Sequence, residues 1–388
     1  MKKIISKSLA FCFLTLTASA QNNTKITDKD VVEINKLVED LSNNDKFSGT
    51  VLIAKGNEIL YQKAVGFANK ENNVKSNIDT KFNLASMNKM FTGIAIAQLV
   101  EKNKLSYSDK IIKFLPNLPE KTFGKITIEQ LLTHTSGTGD FFRMPNFMDI
   151  KDTAKTIDSY VALGINEPLL YEPGAKFEYS NYGYILLGAV IEKISKMSYF
   201  DYVKKNIFSV AGMKNTDSYE TDKANNNMAI GYALPPPMPD QAPQPIDETI
   251  VREANTPFLE IKGTSAGGGY STAIDLHKFS KALLSGKLLS KKSLETVTKG
   301  KVVMQFPAPQ MPPNAKPMPM PEIKYGFGFG EYFKNNIRII GHTGGAPGVD
   351  SKIDIYPDLG YTVIVLSNYD RASRPITNLI ENIITSKF

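Results

Sequence analysis

The strand-like patterns of this 388-residue chain lie at its two ends, and helical patterns fill the middle. "FSGTVLIAKGNEILYQKAVGFAN" (47–69) reads as two β-runs around a turn at Lys55-Gly56-Asn57-Glu58. "YGFGFGEYF", "NNIRIIGHTGG", "VDSKIDIYP" and "YTVIVLSNY" form four more runs between 325 and 369, with the turn "PDLG" at 357–360 joining the last two. The order is therefore helix and strands, then helices, then strands and helix. It does not alternate βαβα, which argues against a doubly wound parallel sheet. The expected class is α+β: an antiparallel sheet built from both chain ends and flanked by helices, with a helical subdomain inserted.

The helical patterns are explicit. "DKDVVEINKLVEDLSNND" spaces Val31, Ile34, Leu37, Val38 and Leu41 for one face. "ASMNKMFTGIAIAQLVEKNKL" and "YGYILLGAVIEKISKM" are two more helices. In "TIEQLLTHTSG", Thr127 and Gln130 are spaced as a capping box, and Gly137 is expected to stop the helix. The last helix carries Ile376, Leu379, Ile380, Ile383 and Ile384 on one face.

Residues 1–20, "MKKIISKSLAFCFLTLTASA", combine a lysine-rich start, a short apolar run and a small-residue cleavage site, the pattern of a signal peptide cut after Ala20. Bulky Phe11 before Cys12 argues against a lipoprotein signal. Periplasmic or secreted location follows as an expectation. The only cysteine leaves with that leader, so the remainder has no disulfide, thiolate nucleophile or thiolate metal site. Three lysines and no acid leave too, which takes the net charge from +7 to +4. That mild, dispersed excess does not suggest nucleic acid. No later run of about 18 apolar residues suggests a membrane span. The remaining residues, 21–388, are expected to form a single domain, with a sheet region at about 28–82 and 255–388 and a helical region at about 83–250. Two Pro/Met-rich tracts, 234–245 and 306–321, read as surface insertions.

Two serines compete as nucleophile. Gly263-Thr264-Ser265-Ala266-Gly267 fits the G-x-S-x-G elbow by letters. An elbow needs an apolar strand before the serine and a helix directly after it. Here Pro257, Glu260 and Lys262 precede, and Gly267-Gly268-Gly269 follow. The helix begins later, with Thr272 as its cap and Asp275 three residues on. Ser86 and Lys89 fit S-x-x-K, and on a helix residues three apart share a face. A serine hydroxyl needs a base, and a lysine serves once burial lowers its pKa. Apolar Met87, Met90, Phe91 and Ile94 surround that lysine. Tyr179-Ser180-Asn181 offers a phenol and an amide in a loop after Pro173-Gly174. His342-Thr343-Gly344-Gly345 offers small residues at a strand end, where the Gly345 N–H is placed to donate to an oxyanion.

In this order the three elements resemble the serine β-lactamase and penicillin-binding protein superfamily, nearest its class C β-lactamase-like branch. That branch also holds esterases, D-amino-acid peptidases and DD-carboxypeptidases. The resemblance spans about residues 30–385 and includes "LLTHTSG", "YEPGAKFEYSNYGYILLGAVIEK", "SAGGGYSTAIDLHKF" and "GHTGGAPG". It implies a β-lactamase/transpeptidase-like fold, Ser86 as acylated nucleophile, Lys89 as its base and Tyr179 as second general acid/base. It also implies Asn181 as a substrate-amide ligand, His342-Thr343-Gly344 on the cleft strand, and the N–H groups of Ser86 and Gly345 as oxyanion hole. No cofactor or metal is implied. The implied partner is a small-molecule or peptide substrate, with cell-wall-derived peptides among the candidates. One departure matters: class C β-lactamases carry lysine where His342 stands, and histidine is mostly neutral at pH 7. Peptidase or esterase action through an acyl-enzyme therefore ranks above a genuine β-lactamase, and above a non-catalytic penicillin-binding-like sensor. His134 and His277 read as structural.

Overall fold

The computed structural model describes residues 25–144, 146–223, 227–235, 251–305 and 322–388. The leader at 1–20, the tract 306–321 and all but the first two residues of 234–245 lie outside them.

Five helices and one sheet position everything that follows. Helix α1 (Asp28–Asn43) starts on a capping box in which the Thr27 N–H donates to Asp30 at 2.7 Å and Asp30 N–H donates back to the Thr27 hydroxyl. Helix α2 spans Asn88–Glu101, α3 Asn181–Ser195, α4 Ala273–Leu284 and α5 Arg374–Thr385. The hairpin forms as its sequence indicates, with β1 (Gly49–Lys55) and β2 (Glu58–Val65). The other strands of the main sheet are β3 (Val302–Val303), β4 (Lys324–Tyr325), β5 (Gly330–Lys334), β6 (Ile337–Ala346), β7 (Val349–Tyr356) and β8 (Tyr361–Ser367).

These eight strands form one antiparallel sheet in the order β2-β1-β8-β7-β6-β5-β4-β3. The two chain ends meet where β1 pairs with β8, Leu52 opposite Ile364 and Val51 opposite Val365. Every residue of β8 is buried, so it reads as a continuous apolar run, while its alternate side chains still go to different cores. Val363 and Val365 join α1 and α5 on one face through Ile34, Val38, Ile376 and Ile380. Ile364 and Leu366 join the larger core on the other face, which contains Phe91 of α2 and Phe279 of α4. Each such fully buried side chain contributes about 1.5–3 kcal/mol.

Helix α2 is buried from Asn88 through Leu99 on all sides, as a helix enclosed between sheet and helical region must be. No helix among the described residues is long and apolar enough to cross a membrane.

Two local expectations are corrected. "YGFGFGEYF" is not one strand: the chain leaves the sheet at Gly326, which donates to Phe329 O at 2.7 Å, and re-enters at Gly330. Burial of Phe327 and Phe329 in the core drives that excursion. The helix capped by Thr127 and Gln130 is present, but it ends at Leu132 rather than running to Gly137. His134 adopts φ +58°, and the Thr133 hydroxyl bonds back to Glu129 O at 2.8 Å.

Candidate active site

Ser86 does not lie on α2 itself. It sits in a 3-10 turn, Ala85–Met87, that leads directly into the helix. Ala85 has φ +41°, a left-handed conformation that costs an alanine about 1–3 kcal/mol. Three bonds hold it there. Ala85 N–H donates to Asn83 Oδ1 at 2.8 Å, Leu84 N–H to Gly269 O at 2.7 Å, and Gly268 N–H to Ala85 O at 3.2 Å. The glycine turn thus braces the strained residue beside Ser86. Strand β6 closes in from the other side: a Cβ on Gly344 would stand 2.0 Å from Leu84 O, so only glycine fits.

Lys89 is fully buried in the first turn of α2. Its Nζ faces three oxygens: Ser86 Oγ at 3.2 Å, Asn181 Oδ1 at 2.6 Å and Ala266 O at 2.6 Å. Burial lowers its pKa to about 7, against the opposing pull of Asp140. Asn181 opens α3 behind its cap, Ser180, whose hydroxyl accepts from Gly183 N–H at 2.9 Å. The Asn181 amide is oriented from both ends, because its Nδ2 donates to Asp140 Oδ2 at 2.8 Å.

Tyr179 lies in the loop before that cap. Its buried hydroxyl takes no hydrogen bond of ordinary geometry among the described residues. Burial raises its pKa well above the usual tyrosine range, while the neighbouring Ser86 hydroxyl works in the opposite direction. The phenol is therefore protonated at neutral pH. Its ring stacks on His134 with centroids 4.1 Å apart, and Lys89 Nζ lies 4.8 Å from its centroid. His134 accepts from Ser180 N–H at Nδ1, which places its proton on Nε2. Burial, with Lys89 and His342 nearby, keeps it neutral. It props the tyrosine rather than facing the cleft.

His342 lies within β6, and both its ring nitrogens are engaged: Nε2 with Tyr325 Oη at 2.9 Å, Nδ1 with Thr343 O at 2.5 Å. The carbonyl can only accept, so Nδ1 carries the proton and Nε2 accepts from the phenol. Burial and Lys89 hold this histidine well below its ordinary range, and the ring is neutral at pH 7. Thr343 and Gly345 face solvent, and Gly345 lines the same cleft of about 90 Å³ as Ser86 and Asn181. A larger cavity of about 650 Å³ opens next to it and is lined by Asp140 and Tyr179.

Ser86, Lys89, Tyr179 and Asn181 are thus brought together, with Gly345 in the cleft wall and Gly344 packed behind it against Leu84. Ser265 is elsewhere. It is fully buried, its hydroxyl has no partner among the described residues, and it packs against Gly188 of α3, where an added Cβ would stand 2.4 Å from Ser265 Oγ. Asp275, one acid that an elbow could use, is committed to Asn215 N–H at 2.6 Å and Thr216 at 3.0 Å. Sequence reasoning missed Asp140 and Glu260. Asp140 carries only the signal of a turn cap before Phe141 and Phe142. Glu260, in the cleft wall, carries none.

A family model described as Beta-lactamase matches residues 34–382. Penicillin-binding protein 4* of Bacillus subtilis (strain 168) is 33% identical over 344 residues, 86% of this chain and 70% of that protein. The crystal structure of a penicillin binding protein from Bacillus halodurans superposes with TM-score 0.74 at 29% identity, covering 90% of this chain and 98% of the other. A D-amino acid amidase from Ochrobactrum anthropi, 24% identical, shares the fold with TM-score 0.72 over 91% of this chain and 99% of its own. The chain belongs to the beta-lactamase family, within the superfamily of serine β-lactamases and penicillin-binding proteins.

Proposed function

We propose that this is a secreted serine hydrolase that forms an acyl-enzyme at Ser86 on amide or ester substrates, of D-amino-acid peptidase, carboxypeptidase or esterase type. The observation that carries the reading is the set of three oxygens around Lys89 Nζ. A neutral amine has two N–H groups and one lone pair. Asn181 Oδ1 and Ala266 O can only accept, so they take the two N–H groups. The lone pair is left for the Ser86 hydroxyl. A pKa of about 7 makes the neutral amine available at physiological pH.

The steps follow. Ser86 Oγ attacks the carbonyl carbon as its proton passes to Lys89. The N–H groups of Ser86 and Gly345 receive the oxyanion. Tyr179 gives its phenolic proton to the leaving nitrogen or oxygen, which departs toward the cavity that Tyr179 lines. The resulting phenolate is balanced by the Lys89 ammonium. Water then attacks the ester, the phenolate takes a proton from it, and Ser86 leaves with the proton held on Lys89.

The neutral His342 supplies no cation for a substrate carboxylate, which favours the peptidase or esterase reading over the β-lactamase one. Relatives named as penicillin-binding protein and D-amino acid amidase agree with this reading. Mass spectrometry after treatment with a fluorophosphonate, a penicillin and D-amino-acid esters tests it. One adduct on Ser86 is expected with the fluorophosphonate and the esters, and none with Ser86→Ala. An adduct on another serine, or equal labelling of the variant, overturns the reading. Export is tested separately, by N-terminal sequencing that finds Gln21 first.

A further inference from the structure

The cleft that holds Ser86 contains one carboxylate that the proposed chemistry does not use. Glu260 lines it together with Ser86, Asn181 and Gly345, and Phe141, Phe142 and Leu259 form apolar wall around it. The carboxylate takes no hydrogen bond or ion pair from another side chain among the described residues; its own backbone N–H is its one bonded donor. Lys151, the cation that acts on it electrostatically, is ion-paired at 2.6 Å with Asp152 instead. Asp140 adds a second negative charge, and the remaining titratable groups coupled to Glu260 are the phenols Tyr160 and Tyr270. Burial accordingly drives the Glu260 pKa up to about 7. A half-buried carboxylate with no cation beside it is costly to ionise, and a cationic ligand relieves that cost.

The side of the scissile bond is fixed by chemistry. Tyr179 protonates the leaving group and lines the larger neighbouring cavity, whereas Gly345 and Ala346 line the cleft with Glu260. Glu260 therefore faces the acyl half of the substrate. We infer that Glu260 is a specificity residue that binds the free α-ammonium of an aminoacyl amide or ester, whose apolar side chain lies against Phe141, Phe142 and Leu259. This rests on the acyl-enzyme reading above and narrows its substrate to acyl donors with an unblocked amino group.

The test uses the full chain and the p-nitroanilides of D- and L-phenylalanine, each with a free amino group and each N-acetylated. Wild type is expected to favour the free-amino form of one enantiomer by about tenfold or more in kcat/KM. Glu260→Gln should remove about tenfold or more of that value, chiefly through KM, and leave the N-acetylated compound within about twofold. Fluorophosphonate labelling of Ser86 should be unchanged in the variant. Glu260→Asp should keep part of the preference. The inference is overturned if wild type labels normally but turns over N-acetylated compounds as well as free ones, or turns over neither. It is equally overturned if Glu260→Gln lowers both classes together. Absence of labelling in wild type instead sinks the acyl-enzyme reading itself.

Discussion

Lys89 Nζ donates to Asn181 Oδ1 at 2.6 Å, a bond that joins the buried start of α2 to the first residue of α3 across 92 positions of sequence. Asn181 passes the connection on to Asp140 through its other amide atom. The proposed base is thus held by a neutral relay, and a carboxylate acts on it from one residue further away. That distance separates position from charge, and the two can be tested independently.

Asp140→Asn keeps an acceptor for Asn181 Nδ2 and removes only the charge. Asp140 holds the Lys89 pKa up, so its loss lowers a value already near 7. As the proposed base, Lys89 must be neutral to accept the Ser86 proton, so acylation is expected to rise with pH through the Lys89 pKa. In Asp140→Asn that rising limb should move to lower pH, with the plateau rate within about threefold of wild type. A stopped-flow pH profile of ester acylation checks this. A limb that moves to higher pH, or stays fixed while the plateau collapses, would count against Lys89 as the base.

His342 sets a second expectation. Its ring is neutral and tied to Tyr325 and Thr343, so a β-lactam carboxylate meets no cation at position 342. Wild type should hydrolyse a chromogenic cephalosporin poorly. His342→Lys should raise kcat/KM on it by roughly tenfold, the effect of about 1.4 kcal/mol of added charge pairing. The same variant should gain nothing on a neutral ester. An equal gain on both substrates would show that the change acts on the machinery rather than on the carboxylate.

Parts of this arrangement are legible in the sequence because they depend on local period. Ser86 and Lys89 are three apart at a helix start, and Thr127 with Gln130 or Thr272 with Asp275 announce their caps directly. The sheet is legible because β1 and β8 are apolar runs bounded by turns. Asp140 and Glu260 are not, since each reaches the cleft only after distant loops have packed, and nothing in their neighbours encodes that. The strain at Ala85 is equally silent. It is imposed by Asn83, Gly268 and Gly269, and alanine carries no mark of a left-handed backbone.

Ser265 gives a prediction opposite to the one its motif invites. Its hydroxyl is buried without a partner among the described residues, so Ser265→Ala removes a desolvated polar group and fills no new space. The variant should keep wild-type labelling of Ser86 and change unfolding free energy by no more than about 1 kcal/mol in either direction. Urea denaturation with a fluorophosphonate assay reads both quantities. Loss of labelling with an intact fold would return the elbow to contention.

Gly344 tests whether β6 and the Ser86 turn form one rigid unit. A Cβ there would stand 2.0 Å from Leu84 O and 3.3 Å from Ala85 Cβ, so Gly344→Ala must push the strand off the turn. Backbone rather than a flexible side chain is in the way, and overpacking of this kind costs about 1–3 kcal/mol. The displaced strand carries the Gly345 N–H away from the Ser86 carbonyl site, which should lower acylation by about a hundredfold or more, the scale of one lost oxyanion donor. Gly345→Ala meets no heavy atom within 4 Å and supplies the control. It should retain the fold and most of the activity, because the contribution proposed for Gly345 is its backbone N–H. If Gly344→Ala proved as active as wild type while Gly345→Ala did not, the two wall positions would have to exchange roles.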